Sequence, residues 1–129
     1  MLTVGIEGRQ EQMVSDAMTA DKIGSGSVPV FATPMMVALM ERTCSESVQP
    51  WLDDGQTTVG VRLDISHLSA TPVGMRVWCK SELTEIDRRR LTFRVATYDE
   101  AGLIGEGCHE RFIVDADAFV LKARAKHSH

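Results

Sequence analysis

The chain has 129 residues, of which 43% are hydrophobic and 25% are charged. This length and composition are typical of one folded domain, residues 1–129, and exclude a disordered or collagen-like chain. The net charge of -4 argues against a nucleic-acid partner, because contacts to phosphate require a basic face.

The first part of the chain predicts a strand, a loop and one long helix. Residues 8–18 are a candidate strand, and the glycines and serines of residues 22–29 predict a loop. Thr33 is a candidate helix cap, and Pro34 suits the first helical position. The helix should end before Pro50, because a residue that precedes proline is disfavoured in helical geometry.

One carboxylate lies on the apolar face of this helix. Val37, Glu41, Cys44 and Val48 follow the i, i+4, i+7, i+11 spacing of a single buried stripe. Burying a carboxylate without a partner is costly, so we expect either a charged partner or a solvent-lined cleft. A helix rotated so that Glu41 lies at the rim explains the pattern equally well.

After a turn at residues 53–56 the apolar period changes to two. The next segment predicts a half-buried strand, and the inward face of that strand continues to His67; its apolar positions are Val59, Val61, Leu63 and Ile65. Glu41 and His67 are thus two inward ionisable groups on consecutive elements, and His67 is the predicted partner of Glu41. A purely structural contact between them is an equally good interpretation.

Three more alternating runs predict an antiparallel meander, at residues 75–83, 91–95 and 103–114. Residues 99–102 predict a hairpin loop, and the arginine-rich residues 87–90 predict a solvated turn, with an anionic ligand as the alternative. One helix followed by such strands predicts an α+β fold in which the helix covers the apolar face of the sheet.

Thr33 and Glu41 are about 12 Å apart along one straight helix, at roughly 1.5 Å per residue. They cannot touch within one chain, but two helices packed antiparallel across a two-fold axis would bring them into one site. The open N–H groups at one helix start could then polarise a substrate carbonyl near the partner's carboxylate. The pair therefore predicts a homodimer.

The cysteines predict neither a disulfide framework nor a metal site. Cys44, Cys79 and Cys108 are odd in number and widely spaced, and each lies in an apolar pattern, so we expect buried thiols in a reducing compartment. Cys44 is a poor candidate nucleophile, because no basic group nearby would lower its pKa. With no secretory signal and no membrane span, we expect a cytoplasmic protein.

His109 lies in phase with Gly105, Gly107 and Arg111, on the opposite side of the last run from Cys108. Periodicity leaves open whether that side faces solvent, a subunit interface or a ligand.

Three segments of the sequence resemble the hotdog-fold acyl-CoA thioesterases, most closely the fluoroacetyl-CoA thioesterase-like group. They are VPVFATPMMVALMERTC at 28–44, TTVGVRLDISHLSATPVGMRV at 57–77, and GEGCHERFIV at 105–114. The resemblance implies a long helix wrapped by an antiparallel sheet, with the sheets of two subunits joined in a homodimer. Such dimers can pair further into tetramers. It also implies hydrolysis of a small acyl-CoA without metal or cofactor, coenzyme A being part of the substrate.

The resemblance implies the site residues as well. Thr33, Glu41 and His67 occupy the positions of the family's threonine, glutamate and histidine set. Gly60 matches the strand glycine that lets the thioester approach the backbone, and Arg111 matches an arginine in the family's HER run. By phase alone, Gly60 lies on the opposite face from His67 unless a bulge intervenes.

One segment departs from the family. Where fluoroacetyl-specific members supply phenylalanines to a hydrophobic lid, this chain has GSGSVP at 24–29. The acyl group is therefore open, and so is a non-catalytic alternative, a hotdog protein that binds an acyl-CoA or small acid without cleaving it. The aspartate and histidine motif typical of hotdog hydratases is not evident in this sequence. A purely structural dimer would leave Glu41 and His67 unexplained.

Overall fold

The computed structural model describes residues 1–128, which form five strands and three α-helices. In chain order these are β1 (Glu7–Met13), α1 (Ala20–Ile23), α2 (Thr33–Val48), β2 (Gln56–His67), β3 (Arg76–Asp87), β4 (Arg90–Asp99), β5 (Gly102–Asp115) and α3 (Ala116–Arg124). Short 3-10 turns occupy Asp16–Met18, Gln49–Trp51 and Ala125–Ser128. None of the helices in residues 1–128 combines the length and apolar character needed to cross a membrane.

The strands form one antiparallel sheet in the order β1-β3-β4-β5-β2. Strands β3, β4 and β5 follow each other as hairpins, with turns at the predicted 87–90 and 99–102 segments. In the first turn Arg88 has a φ of 58°, the left-handed region that side chains seldom adopt. β2 pairs only with β5, so within residues 1–128 its other edge is open.

Helix α2 packs across one face of the sheet, which confirms the predicted α+β layout. Its fully buried side chains meet an apolar layer from β3 and β4; the helix contributes Met36, Leu39, Met40, Cys44 and Val48, and the strands contribute Val77, Cys79, Leu83, Leu91, Phe93 and Val95. The helix ends at Val48, before Pro50 as predicted. Val37 and Glu41 are only half-buried, so the carboxylate lies at the rim of the buried stripe.

Three predictions for the chain up to the start of α2 are corrected by the structure. Ala32, not Thr33, is the capping residue; Thr33 is the first helical residue, and its side chain does not bond to the open N–H groups. The predicted first strand is limited to β1, and the first two residues of the predicted 22–29 loop belong to α1.

The inward face of β2 changes within the strand because of a bulge. The pairing with β5 shifts between Gly60 and Arg62, so Val61 is the additional residue. Val61 is 55% exposed and Thr58 is buried, which is the reverse of the predicted alternation. Beyond the bulge the predicted phase holds, and His67 is half-buried on the inner face.

The structure shows which face of β5 is turned inward, a question that periodicity left open. His109 and Arg111 are buried against the sheet interior, whereas Cys108 and Phe112 are exposed on the outer face. The prediction of a buried thiol is therefore wrong for Cys108 and confirmed for the other two cysteines.

Candidate active site

Thr33 and His67 form the first of two polar clusters. Thr33 begins α2 and His67 ends β2, and the Thr33 Oγ1 lies 2.7 Å from the His67 Nδ1. Burial lowers the pKa of His67 below its ordinary value, so the imidazole is neutral at pH 7. Its Nε2 is buried and has no hydrogen-bond partner among residues 1–128. This nitrogen therefore has an unused hydrogen-bonding position.

A cavity of about 350 Å³ opens beside this pair. Its walls come from the start of α2, the end of β2 and the loop that precedes α2. In that loop Ser25, Gly26 and Val28 face the cavity, so this part of the wall carries no aromatic side chain. Phe31, just beyond residues 24–29, also lines the cavity.

Glu41, Gly60 and Arg111 form the second cluster. The Glu41 Oε2 lies 3.9 Å from the Arg111 Nη1, and the Glu41 side chain remains 43% exposed. A Cβ at Gly60 would lie 2.8 Å from that Glu41 oxygen, so the missing side chain leaves space beside the carboxylate. The cleft has a volume of about 240 Å³ and is also lined by Val37 and His109.

The guanidinium of Arg111 is fixed by hydrogen bonds to residues of β2 and β5. Its Nε donates to the Thr58 Oγ1 over 2.7 Å, and its Nη2 donates to the Thr58 carbonyl over 2.8 Å. Its Nη1 donates to the His109 Nε2 over 3.1 Å. Arginine presents these donors in a planar fork, so three bonds restrict both the position and the tilt of the charge. Sequence reasoning missed Thr58, whose inward orientation appears only once the bulge is known.

The partner of Glu41 within the chain is Arg111 and not His67. The predicted Glu41–His67 contact is therefore wrong within one chain, because His67 lies at the far end of β2 with Thr33. The bulge between Gly60 and Arg62 places Gly60 on the same face as His67, as the resemblance required. The five predicted residues thus form two separate groups on one face of the protein, Thr33 with His67 and Glu41 with Gly60 and Arg111.

Cys44 has the character of a core residue. It is fully buried, and burial raises the pKa of its thiol far above the ordinary value. A thiol that stays protonated is a weak nucleophile. The structure thus agrees with the prediction that Cys44 does not carry the reaction.

His67 and His109 predict an acid-sensitive fold. Burial is the main cause that lowers the pKa of both His67 and His109 from 6.5. The unfolded chain therefore binds more protons than the folded one below about pH 6.5, and the free energy of unfolding falls as the pH falls. We expect the Tm to decrease between about pH 7 and pH 5, above the range in which most carboxylates titrate. Scanning calorimetry across that interval measures this.

The exposed His127 offers a matched control for this experiment. His127→Gln should leave the slope of Tm against pH unchanged. A Tm that stays level or rises on acidification in both proteins would contradict the neutral state of His67 and His109.

Comparison with known proteins connects this geometry to a family. A family model described as fluoroacetyl-CoA-specific thioesterase matches residues 14–117. The fluoroacetyl-CoA thioesterase of Streptantibioticus cattleyicolor is 39% identical over 97 residues, which are 75% of this chain and 70% of that protein.

Solved structures give the same result. A structure of the fluoroacetyl-CoA thioesterase FlK is 32% identical and has a TM-score of 0.92, with 98% of each chain covered. A mutant of FlK in complex with fluoroacetate and CoA is 31% identical and has a TM-score of 0.87 over 92% of this chain and 99% of that one. A hot-dog-like protein from Thermanaerovibrio acidaminovorans is 20% identical and has a TM-score of 0.87 over 97% and 93%, which shows the fold.

All five predicted site residues lie inside the matched range of 14–117. The match covers the helix, the sheet and both polar clusters. The chain has the hotdog fold, and it belongs to the fluoroacetyl-CoA-specific thioesterase family.

Proposed function

We propose that the protein hydrolyses a small acyl-CoA thioester to the free acid and coenzyme A, with Glu41 as the reacting carboxylate. One observation carries this proposal: Glu41 is half-exposed in a cleft, with a buried cation on one side and the open position of Gly60 on the other. Membership of the family and the names of its relatives support the acyl-CoA substrate.

The environment of Glu41 suits a carboxylate that reacts in its charged form. Arg111 attracts the negative charge, but 3.9 Å is too long for a hydrogen bond, so the lone pairs of Oε2 are not occupied by that contact. The carboxylate can attack the thioester carbonyl carbon directly, or it can take a proton from an attacking water. The thiolate leaves as the C–S bond breaks, and water completes the hydrolysis of any acyl-enzyme. The resemblance favours direct attack.

Thr33 and His67 are proposed to assist at the other end of the reacting group. His67 is neutral, so its ring can hold or transfer a proton as the thiol departs. Thr33 lies 2.7 Å from the ring and is expected to orient it or to donate toward the developing charge. This role requires Glu41 of another subunit, since the two clusters are about 12 Å apart along α2 at roughly 1.5 Å per residue.

A homodimer joined through β2 would unite the clusters. The open edge of β2 carries Gly60 near one end and His67 at the other. Antiparallel pairing of two β2 strands about a two-fold axis at Asp64 would set His67 of one copy beside Gly60 of the other, because Val61 is the additional residue of the bulge. The unpartnered His67 Nε2 would then approach the Glu41 cleft of the second copy. The open edge of β2 and the unpartnered His67 Nε2 both support a dimer in which each site uses residues of two chains.

Thiol release from a panel of acyl-CoA esters tests the proposed function. The panel contains acetyl, fluoroacetyl, medium-chain and aryl esters, with acetyl-pantetheine as a probe for the nucleotide part. Because residues 24–29 supply no aromatic side chain to the cavity wall, we expect acetyl-CoA to be hydrolysed at least as well as fluoroacetyl-CoA. Light scattering on the same sample measures whether the mass is that of a dimer.

The panel also distinguishes the alternative function. No thiol release from any ester, together with a higher Tm in the presence of acyl-CoA, would replace hydrolysis by non-catalytic binding. A monomer with full activity would contradict a site assembled from two chains.

A further inference from the structure

His109 is enclosed by the fold, yet both of its ring nitrogens are engaged. Only 1% of the residue is exposed. Nδ1 lies 2.8 Å from the Arg62 carbonyl, and Nε2 lies 3.1 Å from the Arg111 Nη1. A carbonyl only accepts and a guanidinium only donates, so Nδ1 carries the proton and Nε2 carries the lone pair. The two contacts define one neutral tautomer.

The position of the ring connects three parts of the Glu41 cleft. Arg62 directly follows the additional residue of the β2 bulge, so the bond from Nδ1 anchors the bulge. The bond to Nε2 restrains the guanidinium that faces Glu41. A Cβ at Gly60 would lie 3.2 Å from the ring Cε1, so the ring also forms the wall behind the open position.

We propose that His109 is a positioning residue, which in its neutral Nδ1–H form holds Arg111 and the β2 bulge in the geometry that Glu41 needs. The proposal rests on the proposed function of Glu41. His109 touches neither the carboxylate nor the space beside it by a hydrogen bond, so it acts through Arg111. Neither the family resemblance nor the five predicted site residues include this role.

Protonation of His109 would remove the lone pair that Arg111 uses. An imidazolium would direct an N–H group at a guanidinium N–H, and both groups would be positive. Arg111 would then be displaced from its place beside Glu41. Burial lowers the pKa of His109, and the Arg111 charge lowers it further.

The groups that face His109 from the neighbouring strands and from α2 determine how strongly the ring resists protonation. The Arg62 carbonyl of β2 favours the protonated form, as do the carboxylates of Glu41 on α2 and Glu110 on β5. From β4 the nearest ring is that of Phe93, which is uncharged and lies 6.4 Å away. The net direction is a pKa below 6.5, so the ring stays neutral at pH 7.

Two substitutions separate positioning from packing. His109→Phe keeps a ring in the core but removes both hydrogen bonds, and we expect kcat to fall by about tenfold with KM changed by less than about threefold. His109→Gln provides an amide oxygen that can accept from Arg111 and cannot be protonated, so we expect most of kcat to return. The substrate is the panel ester that the wild-type enzyme hydrolyses fastest.

The pH profile gives a readout that a structural role would not move. All other ionisable groups are the same in both proteins, so the ratio of kcat in His109→Gln to kcat in the wild type isolates His109. This ratio should rise as the pH falls below about 6.5. Val77→Ala is the matched control, because Val77 is equally buried but lies near the far end of β3. It should lower the Tm without changing kcat.

Long-range proton–nitrogen NMR of the free protein tests the geometry without substrate. A neutral Nδ1–H ring at pH 7 supports the proposal, whereas an Nε2–H or charged ring overturns it. A kcat ratio independent of pH would overturn it as well, as would equal losses in His109→Phe and His109→Gln or normal kcat in His109→Phe. If the wild-type enzyme cleaves no ester, the proposed function fails, and the NMR result still decides whether His109 has the tautomer that can accept a hydrogen bond from Arg111.

Discussion

Glu41→Gln is expected to lower kcat by roughly 10³- to 10⁵-fold, the range typical for loss of a nucleophile or an essential base. Glutamine has nearly the same shape, so α2 and the packing below it should be unchanged. The amide is neither a nucleophile nor a base, and because it is uncharged it is attracted to Arg111 less strongly than the carboxylate is. The expected result is a folded protein that still binds acyl-CoA but turns over very slowly, measured as thiol release under saturating substrate.

Glu46 provides the matched control on the same helix. Its side chain is exposed, and it lies five residues beyond Glu41 on α2. Glu46→Gln changes the net charge by the same amount and should retain full activity. Turnover within tenfold of the wild type in Glu41→Gln would remove Glu41 from the mechanism.

Gly60→Ala is expected to lower kcat/KM by about 10²-fold, comparable to the effect of misplacing a reacting group by about 1 Å. The new methyl carbon would lie 2.8 Å from the Glu41 Oε2, 3.2 Å from the His109 Cε1 and 3.4 Å from the Arg111 Nη1. The closest of these atoms is the end of a flexible side chain. The carboxylate should therefore move away while the backbone stays in place, so activity is lost and the fold is retained.

The preceding residue, Val59, tests whether any change in this part of β2 has this effect. Val59 pairs with the exposed Phe112 on the outer face and does not line the Glu41 cleft, so Val59→Ala should leave kcat/KM nearly unchanged. The Tm of both variants, measured beside activity, separates a displaced carboxylate from a damaged fold. Normal kcat/KM in Gly60→Ala would show that the space beside Glu41 is not where the thioester lies.

The elements that sequence predicted well are those bounded by strong local signals. Pro34 and Pro50 restrict where α2 can lie, and the alternation in β3 and β4 leaves one choice of buried face. β2 was predicted correctly as a strand, but the predicted inner face is wrong up to and including Val61, because the sequence pattern does not reveal the additional residue of a bulge. The prediction of Thr33 as the helix cap was wrong, because its hydroxyl bonds to His67 instead of to a backbone N–H at the start of the helix.

The site shows the same division between local and distant information. The helical stripe identified Glu41, and the strand phase identified His67, but neither pattern could name their contacts. Arg111, the partner of Glu41, is 70 residues further along the chain and reaches it only through the pairing of β5 with β2. The buried face of β5 is polar, so periodicity alone could not assign His109 to the interior.

The bulge in β2 also restricts where the length of this chain can change. Both clusters are attached to this strand, one at Gly60 and one at His67, and their spacing is set by the paired residues between them. An insertion or deletion in residues 60–67 would reverse one cluster to the outer face, whereas the hairpin ends can lengthen without disturbing either. Natural variation in length should therefore occur at the turns after β3 and β4, while the segment between the clusters keeps a constant number of residues.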